Sequence, residues 1–131
     1  MSPDGDPPLS IDLPTEQLPP LVRVRQWAAT ALADVGDDHL QAVLLVCTEL
    51  VTNAYEHAQT ACVLRIQHSR EPCRVRVEVE DASPGEPVLG RSRFGDLRGR
   101  GLVIVDRLSD EWGVTRQDGG KTVWALISCT E

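Results

Sequence analysis

Residues 49–58 read Glu-Leu-Val-Thr-Asn-Ala-Tyr-Glu-His-Ala and form the second half of a long apolar pattern. Apolar residues recur at helical spacing from about 38 to 58, which predicts one long helix with a wide stripe facing a core. Glu49 and Asn53 stand one turn apart on a second face, and His57 continues that row. The row is either a hydrogen-bonded pair on a solvated face or a site where Glu49 acts as a base or binds a cation. This stretch alone leaves both interpretations open.

The composition describes an acidic chain with enough apolar residues for one core. The chain has 131 residues, 41% of them hydrophobic, which predicts a single domain over residues 10–131. The three prolines and small polar residues of the first eight positions predict a flexible terminus over residues 1–9. A formal net charge of -7 argues against direct nucleic-acid binding. No apolar run reaches the roughly 18 residues of a membrane-spanning helix, and the first residues do not resemble a signal peptide. We therefore expect a cytoplasmic protein without membrane contact.

The four cysteines are scattered along the chain, at Cys47, Cys62, Cys73 and Cys129. They form no C-x-x-C pair and match no metal-binding histidine spacing, so the sequence predicts buried free thiols rather than metal ligands. His68 has no partner motif either, and we expect it at a solvated strand position.

The other helices and strands are predicted from changes in the spacing of apolar residues along the chain. A short edge strand is expected at residues 11–13, and a packing helix over about 20–35. Residues 63–68 and 74–80 alternate with period two, which predicts two neighbouring antiparallel strands, and residues 118–120 predict a final hairpin. Strands separated from helices indicate an α+β fold. We expect a two-layer sandwich, with a mixed, mostly antiparallel sheet and the helices on one face.

Two polar segments at the ends of these elements suggest a ligand site. Asp81 ends the second strand of the pair, and Gly85 follows in a turn. Gly99, Arg100 and Gly101 then lead into a short apolar helix. Free backbone N–H groups at a helix start, with arginine beside them, suit a phosphate group. Taken alone, a G-x-G is more often an ordinary turn at a helix start.

In order and spacing, these motifs resemble those of the GHKL ATPases, which include gyrase, heat-shock chaperone, histidine kinase and mismatch-repair ATPase domains. The matching stretches are ELVTNAYEHA at 49–58, DASPG at 81–85, GRGL at 99–102 and GKTVW at 120–124. Within this superfamily the chain is most similar to the small bacterial anti-sigma-factor serine/threonine kinases. The resemblance covers residues from about 10 to 128 and implies the histidine-kinase-like ATPase fold.

The resemblance also implies a role for each matching residue. Glu49 is implied to be the catalytic base, which takes the proton of a protein hydroxyl that attacks the γ-phosphate of ATP. Asn53 is implied to bind a Mg²⁺ ion that bridges the phosphates, and Asp81 to accept a hydrogen bond from the adenine amino group. The other residues implied to bind ATP are His57, Gly85, Gly99, Arg100, Gly101 and Thr122.

The chain departs from the superfamily pattern at two places. The usual D-x-G-x-G reads D-A-S-P-G, so Ser83 replaces the first glycine and Pro84 stiffens the turn. Glu56 occupies a position where relatives often carry a basic residue, which would remove a contact to phosphate.

The sequence thus predicts an anti-sigma-factor-type serine/threonine protein kinase that uses ATP and Mg²⁺. Such a protein binds a sigma factor, phosphorylates an anti-sigma antagonist protein and so regulates transcription. The alternative is a nucleotide-dependent regulator that binds a partner protein without transferring phosphate. Glu49 favours the kinase, whereas Glu56 leaves the alternative open. A homodimer is a further expectation from the resemblance.

Overall fold

A computed structural model describes residues 8–14, 18–57, 61–70, 72–82, 103–117 and 119–129. The five strands are β1 (Leu9–Leu13), β2 (Cys62–Arg70), β3 (Cys73–Asp81), β4 (Glu111–Gln117) and β5 (Gly120–Ser128). The two long helices are α1 (Leu21–Ala31) and α2 (Asp37–His57), and residues 103–108 are also helical.

The five strands form one sheet in the order β1-β2-β3-β5-β4. Each pairing between the described strands is antiparallel, including the two hairpins that the sequence predicts. Gly119 turns the second hairpin with a φ of 80°, a conformation that glycine adopts without steric cost. The predicted α+β class is confirmed, and the described strands form an antiparallel sheet without a parallel pair.

Alternation along the strands gives the sheet one apolar and one charged face. The inward residues of β2, β3 and β5 are almost fully buried, and α2 packs against β3 and β5. Burial of each such aliphatic side chain contributes about 1.5–3 kcal/mol. The opposite face carries ion pairs, in which Arg65 contacts Glu78 and Glu80, and Arg76 contacts Glu78. No helix among the described residues is both long and apolar enough to cross a membrane.

Helix α1 ends earlier than its apolar spacing predicts. The helix stops at Ala31, and Leu32 has non-helical backbone angles while its N–H still donates to the carbonyl of Ala28. Leu32 and Val35 nevertheless remain buried, because a turn over residues 32–34 keeps both side chains against the core. The apolar pattern was therefore right about burial and wrong about the end of the helix.

The expectation that His68 is solvated is wrong. Only 8% of His68 is exposed, because it falls on the inward row of β2 that also contains Leu64 and Ile66. Its ring therefore lies at the edge of the core, near polar groups that are described below.

The prediction of free cysteines holds for two residues and fails for the other two. Cys47 and Cys62 are free and buried. Cys73 and Cys129 form a disulfide, with Cα atoms 5.4 Å apart. The pairing of β3 with β5 brings the two residues together, since the N–H of Cys129 donates to the carbonyl of Cys73 over 3.0 Å. Sequence spacing gave no sign of this contact, because 56 residues separate the two cysteines.

Candidate functional site

The second half of α2 and one end of the sheet lie close together. A row of paired residues crosses the sheet there, from Leu13 through Cys62 and Asp81 to Lys121. The hydroxyl of Tyr55 on α2 donates to the carbonyl of Pro14, which follows β1 at this same end. The C-terminal half of α2, which carries the Glu49 to His57 row, therefore reaches the end of the sheet at which Asp81 lies, and α2 packs against β3 and β5.

Asp81 is buried in this corner together with a lysine that the sequence analysis did not single out. The side chains of Asp81 and Lys121 are each 1% exposed, and Nζ of Lys121 lies 3.4 Å from Oδ1 of Asp81. Lys121 stands on the inward row of β5 with Val123 and Ala125. A lysine on an otherwise apolar inward row was the available sign that a buried carboxylate faces it.

The first residues of β5 pack directly against the backbone of Asp81. A Cβ atom added to Gly120 would lie 2.2 Å from the carbonyl oxygen of Asp81, so only glycine fits there. Thr122 pairs with Glu80 across the sheet and is 8% exposed. The Gly-Gly pair that predicts the hairpin therefore also permits a close approach between β5 and β3, which the sequence did not reveal.

A cleft of about 200 Å³ opens beside Asp81. Its described lining comes from the starts of β2 and β5 and the end of β3, namely Ala61, Val63, Glu80, Asp81, Ala82, Gly119 and Gly120. Among the described residues, Glu49, Asn53 and Thr122 do not line this cleft. Asp81 is thus the described site residue that lines this cleft, which also takes in Val63 and Glu80 from the outward face of the sheet.

Glu49 and Asn53 lie on successive turns of α2 in different surroundings. Asn53 is buried, with 6% exposure, whereas Glu49 is half-buried. Burial raises the pKa of Glu49 above its ordinary value, and the negative charge of Glu56 raises it further. An ionised carboxylate with a raised pKa accepts a proton more readily than an exposed one. One turn earlier on α2, Val46 is fully buried and Leu45 is exposed.

The described side chains fit a magnesium nucleotide chemically. The carboxamide oxygen of Asn53 and the carboxylate of Glu49 are hard oxygen donors, the type that Mg²⁺ prefers. Asp81 offers a buried acceptor for an amino group beside open volume. Several predicted site residues lie outside the described part of the chain, namely Gly85, Gly99, Arg100 and Gly101, as does the side chain of His57. The departures Ser83 and Pro84 lie outside it too, so all of these roles stay predictions.

Comparison with known proteins establishes the family. A model of the histidine kinase-like ATPase domain matches residues 14–127, and the chain therefore belongs to this family. This confirms the resemblance inferred from the motifs, and it implies that the protein binds ATP.

One similar solved structure is the crystal structure of the RsbU and RsbW domains of Rv1364c from Mycobacterium tuberculosis. The TM-score is 0.68 at 21% sequence identity, and the match covers 94% of this chain. It covers 33% of that chain, so this protein spans about a third of the length of its structural relative. At this identity the similarity supports the fold. No curated protein matches the sequence significantly.

Proposed function

We propose that the protein is a serine/threonine protein kinase of the anti-sigma-factor type, dependent on ATP and Mg²⁺. The observation that carries this proposal is the half-buried Glu49, with its raised pKa, one turn before the buried Asn53 in a histidine kinase-like ATPase domain. A pure binding module has no need of a carboxylate held as a base at this place.

In the proposed reaction, Glu49 accepts the proton of a serine or threonine hydroxyl on the substrate protein. The hydroxyl oxygen attacks the γ-phosphorus of ATP, the bond to the bridging oxygen breaks, and ADP leaves. Asn53 would hold the magnesium ion, which would supply charge neutralisation for the phosphates. Asp81, fixed by Lys121, accepts a hydrogen bond from the adenine amino group. His57, Gly85, Gly99, Arg100, Gly101 and Thr122 complete the proposed ATP contacts, as the motifs imply.

The proposed partners are a sigma factor, which the protein binds, and an anti-sigma antagonist protein, which it phosphorylates. The motif pattern at residues 49–58 and 120–124 supports this assignment, and so does the fold shared with a structure that contains an RsbW domain. Through these partners the protein would regulate transcription in the cytoplasm without touching DNA, in agreement with its net charge of -7. A homodimer belongs to the same proposal.

The decisive test is Glu49→Gln, which keeps the shape of the side chain and removes the basic oxygen. Single-turnover transfer from ATP to antagonist proteins should fall about a hundredfold to ten-thousandfold, the usual value of general-base assistance. The nucleotide dissociation constant should stay within about a few fold, because the contacts proposed for adenine and phosphate do not involve Glu49. Asp38→Asn is the matched control, since Asp38 is an exposed carboxylate at the other end of α2. Transfer at the parental rate in Glu49→Gln would overturn the role of the base.

A second candidate is a nucleotide-dependent regulator that binds its partner without phosphotransfer. The exposed Glu56 favours it, because a carboxylate at this position repels phosphate where relatives often place a positive charge. ATP-dependent partner binding by the parent protein, with no transfer to any antagonist, would support this candidate over the kinase.

A further inference from the structure

A second group of reactive side chains lies at the end of the sheet opposite Asp81. Cys73 begins β3, Cys129 follows β5, and His39 stands in the first turn of α2. The possible ligand atoms of these three residues all lie within 4.8 Å of one another. His68 joins them from β2, with its Nε2 atom 3.5 Å from the sulfur of Cys73. The two sulfurs and the His39 imidazole thus form one compact group, and His68 reaches this group at Cys73 without lying within 4.8 Å of all three ligand atoms.

The ring of His39 is oriented as in a metal-binding histidine. It is 4% exposed, and its Nε2 atom lies 3.0 Å from the carbonyl oxygen of Ile127. Because a carbonyl only accepts, Nε2 carries the proton and Nδ1 keeps its lone pair. Nδ1 is buried and has no hydrogen-bond partner among the described residues. A buried nitrogen left in this way is unfavourable, and a bound cation would remove this cost.

The second ring nitrogen of His68, Nδ1, also lies near an oxygen acceptor. It is 8% exposed, and Nδ1 lies 4.0 Å from a carboxylate oxygen of Asp34. Arg70 holds that carboxylate at 2.9 Å, and this hydrogen bond keeps the pKa of Asp34 below its ordinary value. A metal-binding histidine typically has a carboxylate or a carbonyl at its second nitrogen. Here His39 has a carbonyl at hydrogen-bond distance, and His68 has a carboxylate 4.0 Å away.

We propose that the protein, once its disulfide is reduced, binds one zinc ion through Cys73, Cys129, His39 Nδ1 and His68 Nε2. Two thiolates and two imidazoles are a common donor set for structural zinc. With zinc bonds of about 2.3 Å to sulfur and 2.1 Å to nitrogen, tetrahedral neighbours lie about 3.6 Å apart. The 3.5 Å between His68 and Cys73 matches this separation.

The disulfide is then the metal-free form of the same site. A dithiol reductant cleaves the bond between the two sulfurs by giving two electrons and two protons, and becomes a disulfide itself. The two thiols of the protein lose their protons as the zinc ion binds. The protein would therefore convert between a disulfide form and a zinc-bound form of this site, where the paired ends of β3 and β5 bring Cys73 and Cys129 together.

The remaining two cysteines are poor competitors for the ion. Burial raises the pKa of Cys47 to about 12 and that of Cys62 to about 11, with a smaller contribution to the latter from Asp81. Their thiols stay protonated near neutral pH, whereas a metal ligand must be a thiolate.

The test uses the full chain and Co²⁺, which reports tetrahedral thiolate coordination by its absorption. After reduction with a phosphine and removal of oxygen, titration should give one equivalent of tightly bound Co²⁺, with sulfur-to-metal charge-transfer and visible bands that Zn²⁺ abolishes. The untreated disulfide form should show neither band. A reduced parent protein without the thiolate band would overturn the proposal, and this comparison needs no variant.

Variants identify the ligands. Cys73→Ser and Cys129→Ser should each weaken the charge-transfer band, because one thiolate remains, and the double variant should lose it. His39→Asn and His68→Asn should weaken Co²⁺ binding by more than about a hundredfold, beyond the usual effect of an outer-shell change. Cys62→Ala is the matched control and should bind Co²⁺ like the parent protein. A thiolate band that survives in the double variant with Cys73→Ser and Cys129→Ser would place the ion elsewhere and overturn the proposal.

Discussion

Replacing Lys121 with methionine should destabilise the protein more than any exposed substitution. Methionine keeps most of the length and volume of the side chain, so packing changes little and the charge is lost. The carboxylate of Asp81, which is 1% exposed, would then remain buried without its cation. Removal of one partner of a buried pair costs about 3–5 kcal/mol, and we expect a loss of unfolding free energy in that range.

The geometry of the pair supports this magnitude. At the observed 3.4 Å between Nζ and Oδ1, Coulomb's law gives an attraction of about 5 kcal/mol with an effective dielectric constant of about 20. Desolvation of the two groups opposes most of this attraction in the intact protein. In a single variant the desolvation of the remaining charge persists while the attraction is lost.

Urea unfolding of a double-mutant cycle measures the coupling. The cycle compares the parent with Lys121→Met, Asp81→Asn and the double variant, and Arg25→Met on the exposed face of α1 is the control. The loss of unfolding free energy in the double variant should be smaller than the sum of the two single losses by about 0.5–3 kcal/mol, because the double variant lacks both charges. The control should change stability by less than about 0.5 kcal/mol. Additive single effects, or a Lys121→Met as mild as the control, would refute the reasoning.

Three further predictions concern the other described residues of the site. Asn53→Ala should remove the magnesium-dependent part of ATP binding in calorimetry with and without Mg²⁺, and an undiminished dependence would show that Asn53 is not the ligand. Gly120→Ala should lower the unfolding free energy by about 1–3 kcal/mol in urea unfolding, because the added Cβ would lie 2.2 Å from the neighbouring backbone. Gly36→Ala is the control, since a Cβ there meets nothing within 4 Å. Equal losses in the two variants would contradict this explanation. Burial raises the pKa of Glu49, so the folded state binds the carboxyl proton of Glu49 more tightly than the unfolded state does. The contribution of Glu49 to stability is therefore present at low pH. It is lost as the pH rises from 4.5, the pKa in the unfolded state, through the raised pKa of the folded state. Phosphotransfer should rise over the same window as the base ionises, and a pH profile unchanged in Glu49→Gln would assign it to another group.

The sequence by itself determined the elements and the family of this protein. The helix Asp37–His57, the two hairpins and the α+β class follow from apolar periods and turn residues, which act over a few neighbouring positions. Asn53 and Asp81 could be chosen as site residues because a motif resemblance depends on order and spacing along the chain.

The tertiary structure alone decided which distant residues meet. Lys121 pairs with Asp81 across 40 positions, Cys129 bonds Cys73 across 56, and His39 reaches Ile127 across 88. Strand order and register set all three contacts, because β5 lies between β3 and β4 and α2 crosses β3 and β5. A periodic pattern shows which side of a strand is buried, but the partner of a buried lysine or thiol is fixed only when the strands align.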